Sequence, residues 1–254
     1  MPLRKGVRIL ATHLSGLIAF EKPPGLLTHP NERRDGKPAL LEAEYDHTTE
    51  CYRWDNEGCL FLVHRLDSPT SGILLGALTS ELAAAVKKRF AAHRVFKRYF
   101  AVVIGKPHSP QGFWQDRILK RHSANQLRVQ LVRGPSSGSS GFERTAKTKF
   151  TQLAVGNGTR PLTLLSLEPL TGRTHQLRIQ CAQHQLPILG DRTYGDFAFN
   201  RKKAPAGNKR LFLHAADLAI TFDFKGQRHN FSAAAPLPSD FQSMLSTHQI
   251  AVPS

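Results

Sequence analysis

CLFLVHRLDSPTSGILLGAL, from Cys59 to Leu78, is two apolar runs joined by a polar turn. Cys59 to His64 predicts a buried strand, and Ile73 to Leu78 a second one. Between them Ser68-Pro69-Thr70-Ser71-Gly72 carries the residues that turn a chain. Asp67 therefore sits between an apolar strand and a turn, where a side chain can stand at the floor of a cleft. Arg65 and Asp67 alternate in phase, so an extended chain puts both on one face. The plainer reading is that Asp67 only caps the turn by accepting from Thr70 or Ser71.

Downstream, the hydroxyl of Thr79 or Ser80 can cap a helix reaching His93, with Leu82, Ala85, Val86 and Phe90 inward and Lys87 and Lys88 outward. Strand-like runs follow at Tyr99–Ile104, Gly112–Leu119, Gln126–Val132, Ala146–Val155 and Leu162–Leu167, then at Leu218–Phe224 and His229–Ser232. Upstream, Leu17 to Lys22 is a short strand stopped by Pro23-Pro24-Gly25. Short helices are expected within Gly36 to Tyr45, over Thr174 to Gln185 and after Ser239. Pro135 to Gly141 is expected to be a mobile loop, and Asn200 to Asn208 an exposed basic loop. Closely spaced strands outnumber helices, which predicts an α+β fold with a mixed, mostly antiparallel sheet rather than a doubly wound parallel one. No repeat or linker is visible, so 1–254 is expected to be a single domain with its core at about 15–235.

The 254 residues hold 35 Lys and Arg against 19 Asp and Glu, a net charge of +16. The excess is concentrated: residues 82–142 hold twelve basic side chains against Asp116 alone. Such unopposed charge is tolerable where a polyanion docks; the bland alternative is a solvated helix face. Apolar runs fall far short of the ~20 residues of a membrane span. The first ten residues lack the apolar segment of a secretory signal. Cys51, Cys59 and Cys181 are too few for a disulfide framework, and a reducing cytoplasm is the expected home.

Gly172-Arg173-Thr174-His175-Gln176-Leu177-Arg178 crowds long polar groups at a helix start, where anions are favoured. Lys97-Arg98-Tyr99 opens a strand. No metal-ligand spacing occurs, and His175, Cys181 and His184 read as packing. The glycine patterns of phosphate-binding loops and dinucleotide folds are absent, so no nucleotide cofactor is expected.

In order, these segments resemble the RluA-type family of pseudouridine synthases. Phe20 to Thr28 (FEKPPGLLT) resembles the family's opening segment, and His64-Arg65-Leu66-Asp67 with Thr70-Ser71-Gly72 its signature. Lys97-Arg98-Tyr99 resembles the segment bearing its active-site tyrosine. Gly172 to Arg178, followed by Pro187 to Asp191 and Tyr194-Gly195, resembles its third motif, and Leu211 to Ala215 (LFLHA) the segment near its end.

The resemblance implies a mixed, mostly antiparallel sheet with flanking helices and a central cleft. It implies isomerisation of uridine to pseudouridine in structured rRNA or tRNA, without metal or organic cofactor, by an enzyme acting as a monomer. Carried over, Asp67 is the nucleophile, Tyr99 stacks on uracil and assists proton transfer, and Arg178 pairs with Asp67. Arg65 displaces and holds the flipped nucleotide, and Leu177 packs beside the base. His64, Arg173, Lys87, Lys88 and Arg121 are expected among the RNA contacts. Many relatives carry an accessory RNA-binding domain before the opening segment. Only sixteen residues precede Leu17 here, so RNA capture is expected to fall to the catalytic domain. The competing reading is a non-catalytic RNA-binding or assembly factor of the same fold.

Overall fold

The computed structural model describes residues 1–31, 36–55, 58–123, 126–131, 142–203 and 210–251. In chain order the elements are β1 (Arg8–Thr12), β2 (Leu17–Lys22), β3 (Glu44–Asp46), β4 (Cys51–Trp54), β5 (Gly58–Leu62), β6 (Ser71–Ala77), α1 (Ser80–Ala91), β7 (Val95–Ile104), β8 (Gln111–Ser123), β9 (Gln126–Leu131), β10 (Phe142–Val155), β11 (Leu162–Pro169), α2 (Gln176–Gln183), α3 (Phe197–Lys203), β12 (Leu213–Phe224), β13 (Gln227–Ala234) and α4 (Ser239–Thr247). They fall into two compact units. One is Met1–Lys97 with His214–Pro236, the other Arg98–Leu213 with Leu237–Ser254.

In the first unit the strand order is β3-β4-β5-β6-β12, with β13 on β12 and β1 on β2. β2 runs antiparallel along β6 from Leu17↔Ala77 to Lys22↔Gly72. The other edge of β6 is shared, by β5 at Phe61↔Ala77 and by β12, parallel, at His214↔Ser71 and Ala215↔Gly72. A strand flanked on both edges and covered on both faces needs an unbroken apolar run, which SGILLGA supplies; every residue of β6 is buried. α1 covers the sheet with Leu82, Ala83 and Val86, packed with Ile73, Leu75, Ile220 and Phe222. Its N-cap is Thr79, whose hydroxyl accepts from the Leu82 amide. Of the residues expected on the inner face, Leu82 and Val86 are buried, whereas Ala85 and Phe90 are only partly so and Ala83 replaces them.

The second unit has the order β7-β11-β10-β8-β9. Alternation along β7 and β11 builds two cores, because successive side chains point to opposite faces. Ala101, Val103, Leu165 and Leu167 pack with Leu177 and Cys181 of α2. Val102, Ile104, Leu162 and Leu164 pack with Phe241, Met244 and Leu245 of α4.

Two expectations are corrected. No helix forms between Gly36 and Tyr45. Ala39 and Leu41 instead bridge Leu27 and Leu3, and β3 follows. Ala39, Leu40 and Leu41 are consecutive and all buried, which an extended segment covered on both sides allows and an amphipathic helix does not. The basic loop expected from Asn200 is helical as far as Lys203, in α3, and residues 204–209 lie outside the described residues. So does the Pro135 to Gly141 loop. Strands β1 and β4 had no reading in the sequence, and α4 takes Pro238, not Ser239, as its N-cap. Among the described residues no helix is long and apolar enough to cross a membrane.

Candidate active site

Asp67 lies in the segment between β5 and β6, partly exposed, with Arg65 exposed and Leu66 buried. Its neighbours are held from two sides. Thr28 Oγ1 donates to the Leu66 carbonyl at 2.9 Å and accepts from the Leu66 amide at 3.2 Å. The Tyr52 hydroxyl in turn donates to the Thr28 carbonyl at 2.7 Å. On the other side, Lys22 Nζ donates to the carbonyls of Pro23, Leu26 and Ser68 at 2.9–3.0 Å. Ser68 also accepts from the Gly25 amide at 2.8 Å and donates its hydroxyl to the Gly25 carbonyl. FEKPPGLLT and HRLDSPTSG are thus one structural object: residues of the first fix the backbone on both sides of Asp67.

The turn is closed by the Thr70 amide donating to the Asp67 carbonyl at 3.0 Å. Gly72, at φ +111°, lies so close to β12 that a Cβ would stand 2.2 Å from the Ala215 carbonyl oxygen. Beside it, Ser71 Oγ and His214 Nδ1 are 2.8 Å apart, and His214 Nε2 lies 3.2 Å from the Ala235 carbonyl. With Nε2 as the donor, Nδ1 accepts from Ser71.

His64 takes an internal job. Its Nε2 accepts the Leu75 amide at 3.0 Å, just past the end of the β5–β6 ladder, and its ring stacks on Phe90 at 4.7 Å. Burial, with the Lys97 charge adding to it, pulls its pKa down to about 3. The ring is neutral at pH 7 and repairs the strand, and it brings no charge to RNA. Lys87 pairs with Glu50 and Lys88 is exposed. Arg121 lies on β8, where nothing of its side chain is described.

In the second unit Tyr99 stands on β7 opposite Leu167, partly exposed and packed against the cluster containing Leu177. α2 begins after His175, a left-handed residue at φ 54° whose Nδ1 lies 2.8 Å from the Tyr194 hydroxyl. A buried amide network fastens the helix to the strands. Gln176 accepts from the Thr171 hydroxyl and the Arg173 amide and donates to the Lys147 carbonyl and Thr148 hydroxyl. Thr148 donates to Gln180, and Gln180 to Asp116.

This network aims Arg178, which is 5% exposed. Its Nε and Nη2 donate to the two oxygens of Asp191, each at 2.8 Å, and its guanidinium carbon lies 5.2 Å from the Tyr194 ring centre. Burial raises the Asp191 carboxyl, but the Arg178 bonds and charge and the Thr193 and Tyr194 amides outweigh it and leave its pKa below the usual range. Arg178 is therefore a fixed cation, gripped in its plane by a carboxylate and covered by an aromatic face. In the sequence Asp191 closes the Pro187 to Asp191 segment with no role of its own. Its sequence signal is the Gly190-Asp191 pair, and the structure gives the reason for the glycine: φ is +76°, and a Cβ would run into the Arg210 carbonyl. Arg173 donates weakly to the Thr145 carbonyl at 3.3 Å, and burial and the neighbouring Arg144 lower its pKa.

The model of the RNA pseudouridylate synthase family matches residues 16–183, a span containing Asp67, Tyr99 and Arg178. The chain belongs to this family. As an RNA pseudouridylate synthase it is an isomerase that converts uridine to pseudouridine in RNA. It is similar to tRNA pseudouridine synthase C of Salmonella typhimurium, with 33% identity over 83% of this chain and 79% of that one. With the tRNA pseudouridine synthase C of Haemophilus ducreyi it shares 34% identity over 85% and 86%. The solved human RNA Pseudouridylate Synthase Domain Containing 4 shares its fold, with a TM-score of 0.67 at 23% identity, covering 97% of this chain and 94% of that one. The synthase family thus accounts for the mixed, mostly antiparallel α+β architecture of both units.

Proposed function

We propose that this synthase acts on tRNA, with Asp67 as the nucleophile, Tyr99 as the ring that stacks on uracil and Arg178 as the cation that keeps Asp67 ionised. The observation that carries the reading is the double anchoring of the Asp67 turn, by Thr28 at Leu66 and by Lys22 at Ser68. Such fixing is what a carboxylate needs to meet one sugar carbon repeatedly. The tRNA assignment rests on the relatives named for that substrate.

In this scheme the target uridine leaves the RNA stack, at a cost of a few kcal/mol, and Arg65 occupies the vacated space. The C1′–N1 bond breaks and uracil turns. C5 then bonds to C1′, and the proton lost from C5 is matched by one gained at N1. Asp67 either attacks C1′ or assists glycal formation. Tyr99 offers an aromatic face, a contact of about 1–3 kcal/mol per base, and a hydroxyl for proton transfer. Leu177 lies beside it. The Asp191 grip on Arg178 keeps a guanidinium positioned and charged, and a nearby positive charge favours the carboxylate form. In this reading the chain acts as a monomer. Lys88, Arg121 and Arg173 contribute backbone contacts. The free cysteines suit RNA in a reducing cytoplasm.

The test is incubation with unmodified tRNA transcripts, with rRNA fragments in parallel, and mapping of carbodiimide-resistant positions. The parent chain modifies a tRNA uridine. Asp67→Asn makes no product while binding tRNA within a few-fold of the parent. Product formed by Asp67→Asn at the parent rate removes Asp67 from the chemistry, and product only in rRNA replaces the substrate.

A further inference from the structure

A groove of about 490 Å³ lies in the first unit, among the C-terminal end of α1, the start of β7 and the outer half of the β12–β13 hairpin. Its lining includes Arg89, Arg94, Arg228, Phe96, Asn230 and Ser232. None of these residues belongs to the family motifs, although Arg89 and Arg94 fall in the basic stretch 82–142.

The local sequence brings the arginines together. α1 ends with His93 in the left-handed region at φ 55°. The His93 amide donates to the Phe90 carbonyl and the Arg94 amide to the Arg89 carbonyl, both at 3.0 Å. That Schellman closure turns the chain back on itself, so Arg94 returns beside Arg89. Arg228 comes from β13, where it stands opposite Asp223 in the ladder.

The groove is chemically one-sided. Among the described residues no carboxylate lines it. Among the described residues, none of the three arginines has an ion-pair partner, and Arg228 makes no pair with Asp223 across the ladder. The Arg89 Nε–H is buried and has no acceptor. Thr221 Oγ1 donates to Asn230 Oδ1 at 2.7 Å, which leaves Asn230 Nδ2 as a donor. Phe96 is 46% exposed at the rim. Basic side chains in a last helical turn also answer the helix dipole, but that dipole amounts to about half a negative charge. Three guanidinium groups exceed it, and Arg228 is on no helix.

We propose that this groove is a second RNA subsite, in which Arg89, Arg94, Arg228 and Asn230 hold backbone phosphates and Phe96 stacks on an unpaired base. The ligand is the RNA substrate itself, so the inference rests on the tRNA reading above. β12 supplies the ruler. His214 and Ala215 pair with Ser71 and Gly72 next to the Asp67 turn, and Ala219 to Thr221 line the groove. Six residues of strand span about 20 Å, so the groove engages RNA well away from the target uridine. It sets which RNA is held rather than which bond breaks.

The test is tRNA binding by the full chain across a salt series, comparing the parent with R94Q/R228Q, R94K/R228K, F96A and, as a charge control in the second unit, K149Q. Thermal unfolding of each variant checks its fold. R94Q/R228Q weakens binding at least tenfold and flattens the slope of log affinity against log salt by about one to two, as expected when two phosphate contacts are lost and each had released slightly less than one counterion. R94K/R228K keeps the slope, because the charge remains. F96A loses several-fold in affinity at unchanged slope, the mark of a stacking contact. An R94Q/R228Q slope equal to the parent's, or a K149Q loss of the same size, overturns the subsite. Absence of pseudouridine with the parent chain would instead overturn the catalytic reading, because the groove is judged by binding alone.

Discussion

At the scale of single residues, the site depends on charges whose partners are fixed. Arg178 and Asp191 are 6% and 1% exposed at their side chains. Removing one member of a buried pair leaves the other charge uncompensated, typically at about 3–5 kcal/mol. Asp191→Ala is expected to lower stability by that order in chemical denaturation and to abolish turnover. Asp191→Asn keeps the shape and loses less. His64 gives a pH signature. Its folded pKa, about 3, lies below its ordinary 6.5. Between those values the unfolded chain binds more protons than the folded one, so stability falls as pH drops from 6.5 toward 3. At pH 4 the loss is expected to be about 2–3 kcal/mol. His64→Gln should flatten that part of the stability profile measured by urea unfolding. An unchanged profile would mean that the ring is solvated and titrates normally.

At the scale of elements, β6 holds the Asp67 turn in place. It carries β2 on one edge and shares the other between β5 and β12, and its first residues begin where the Asp67 turn ends. Gly72→Ala puts a methyl against backbone that cannot retreat without separating β6 from β12, at a φ that L residues avoid. A loss of about 3 kcal/mol or more is expected, read as a large drop in melting temperature. A melting temperature unchanged from the parent would show that β12 can be displaced cheaply. The strands were largely legible because their apolar runs are long and bounded by turn residues: β2, β5, β6, β7 and β11 all lie where the pattern placed them, with ends shifted by a few residues. The Ala39–Leu41 segment was not legible, since consecutive burial there comes from bridges to Leu3 and Leu27, which no local pattern encodes. β1 (RILAT) and β4 (CYRW) escaped for a simpler reason: each is only four or five residues long, and its apolar side chains are adjacent rather than alternating.

At the scale of the whole chain, the motifs identified the chemistry, but tertiary structure determined what several of their residues do. His64 belongs to the signature, yet it serves a backbone amide of β6. Lys87 lies in the basic stretch, yet Glu50 pairs with it. Asp191 and Tyr194 belong to the same motif as Arg178, yet only folding makes them its clamp. The charge count of residues 82–142 pointed to RNA without saying where it docks. The groove adds Arg228 from β13, outside that stretch, because the β12–β13 hairpin and the end of α1 converge there.

Lys22 has a practical consequence. Its ammonium is fully buried and bonded to three carbonyls, one of them Ser68, immediately after Asp67. An amine in that state does not react with cyanate or an acylating reagent until the surrounding loop lets go. The rate at which Lys22 is labelled, set against exposed amines such as Lys5 and Lys225 in the same chain, therefore clocks how often the cradle of the Asp67 turn breathes open. Slower labelling after RNA is added would measure how firmly the substrate locks it shut.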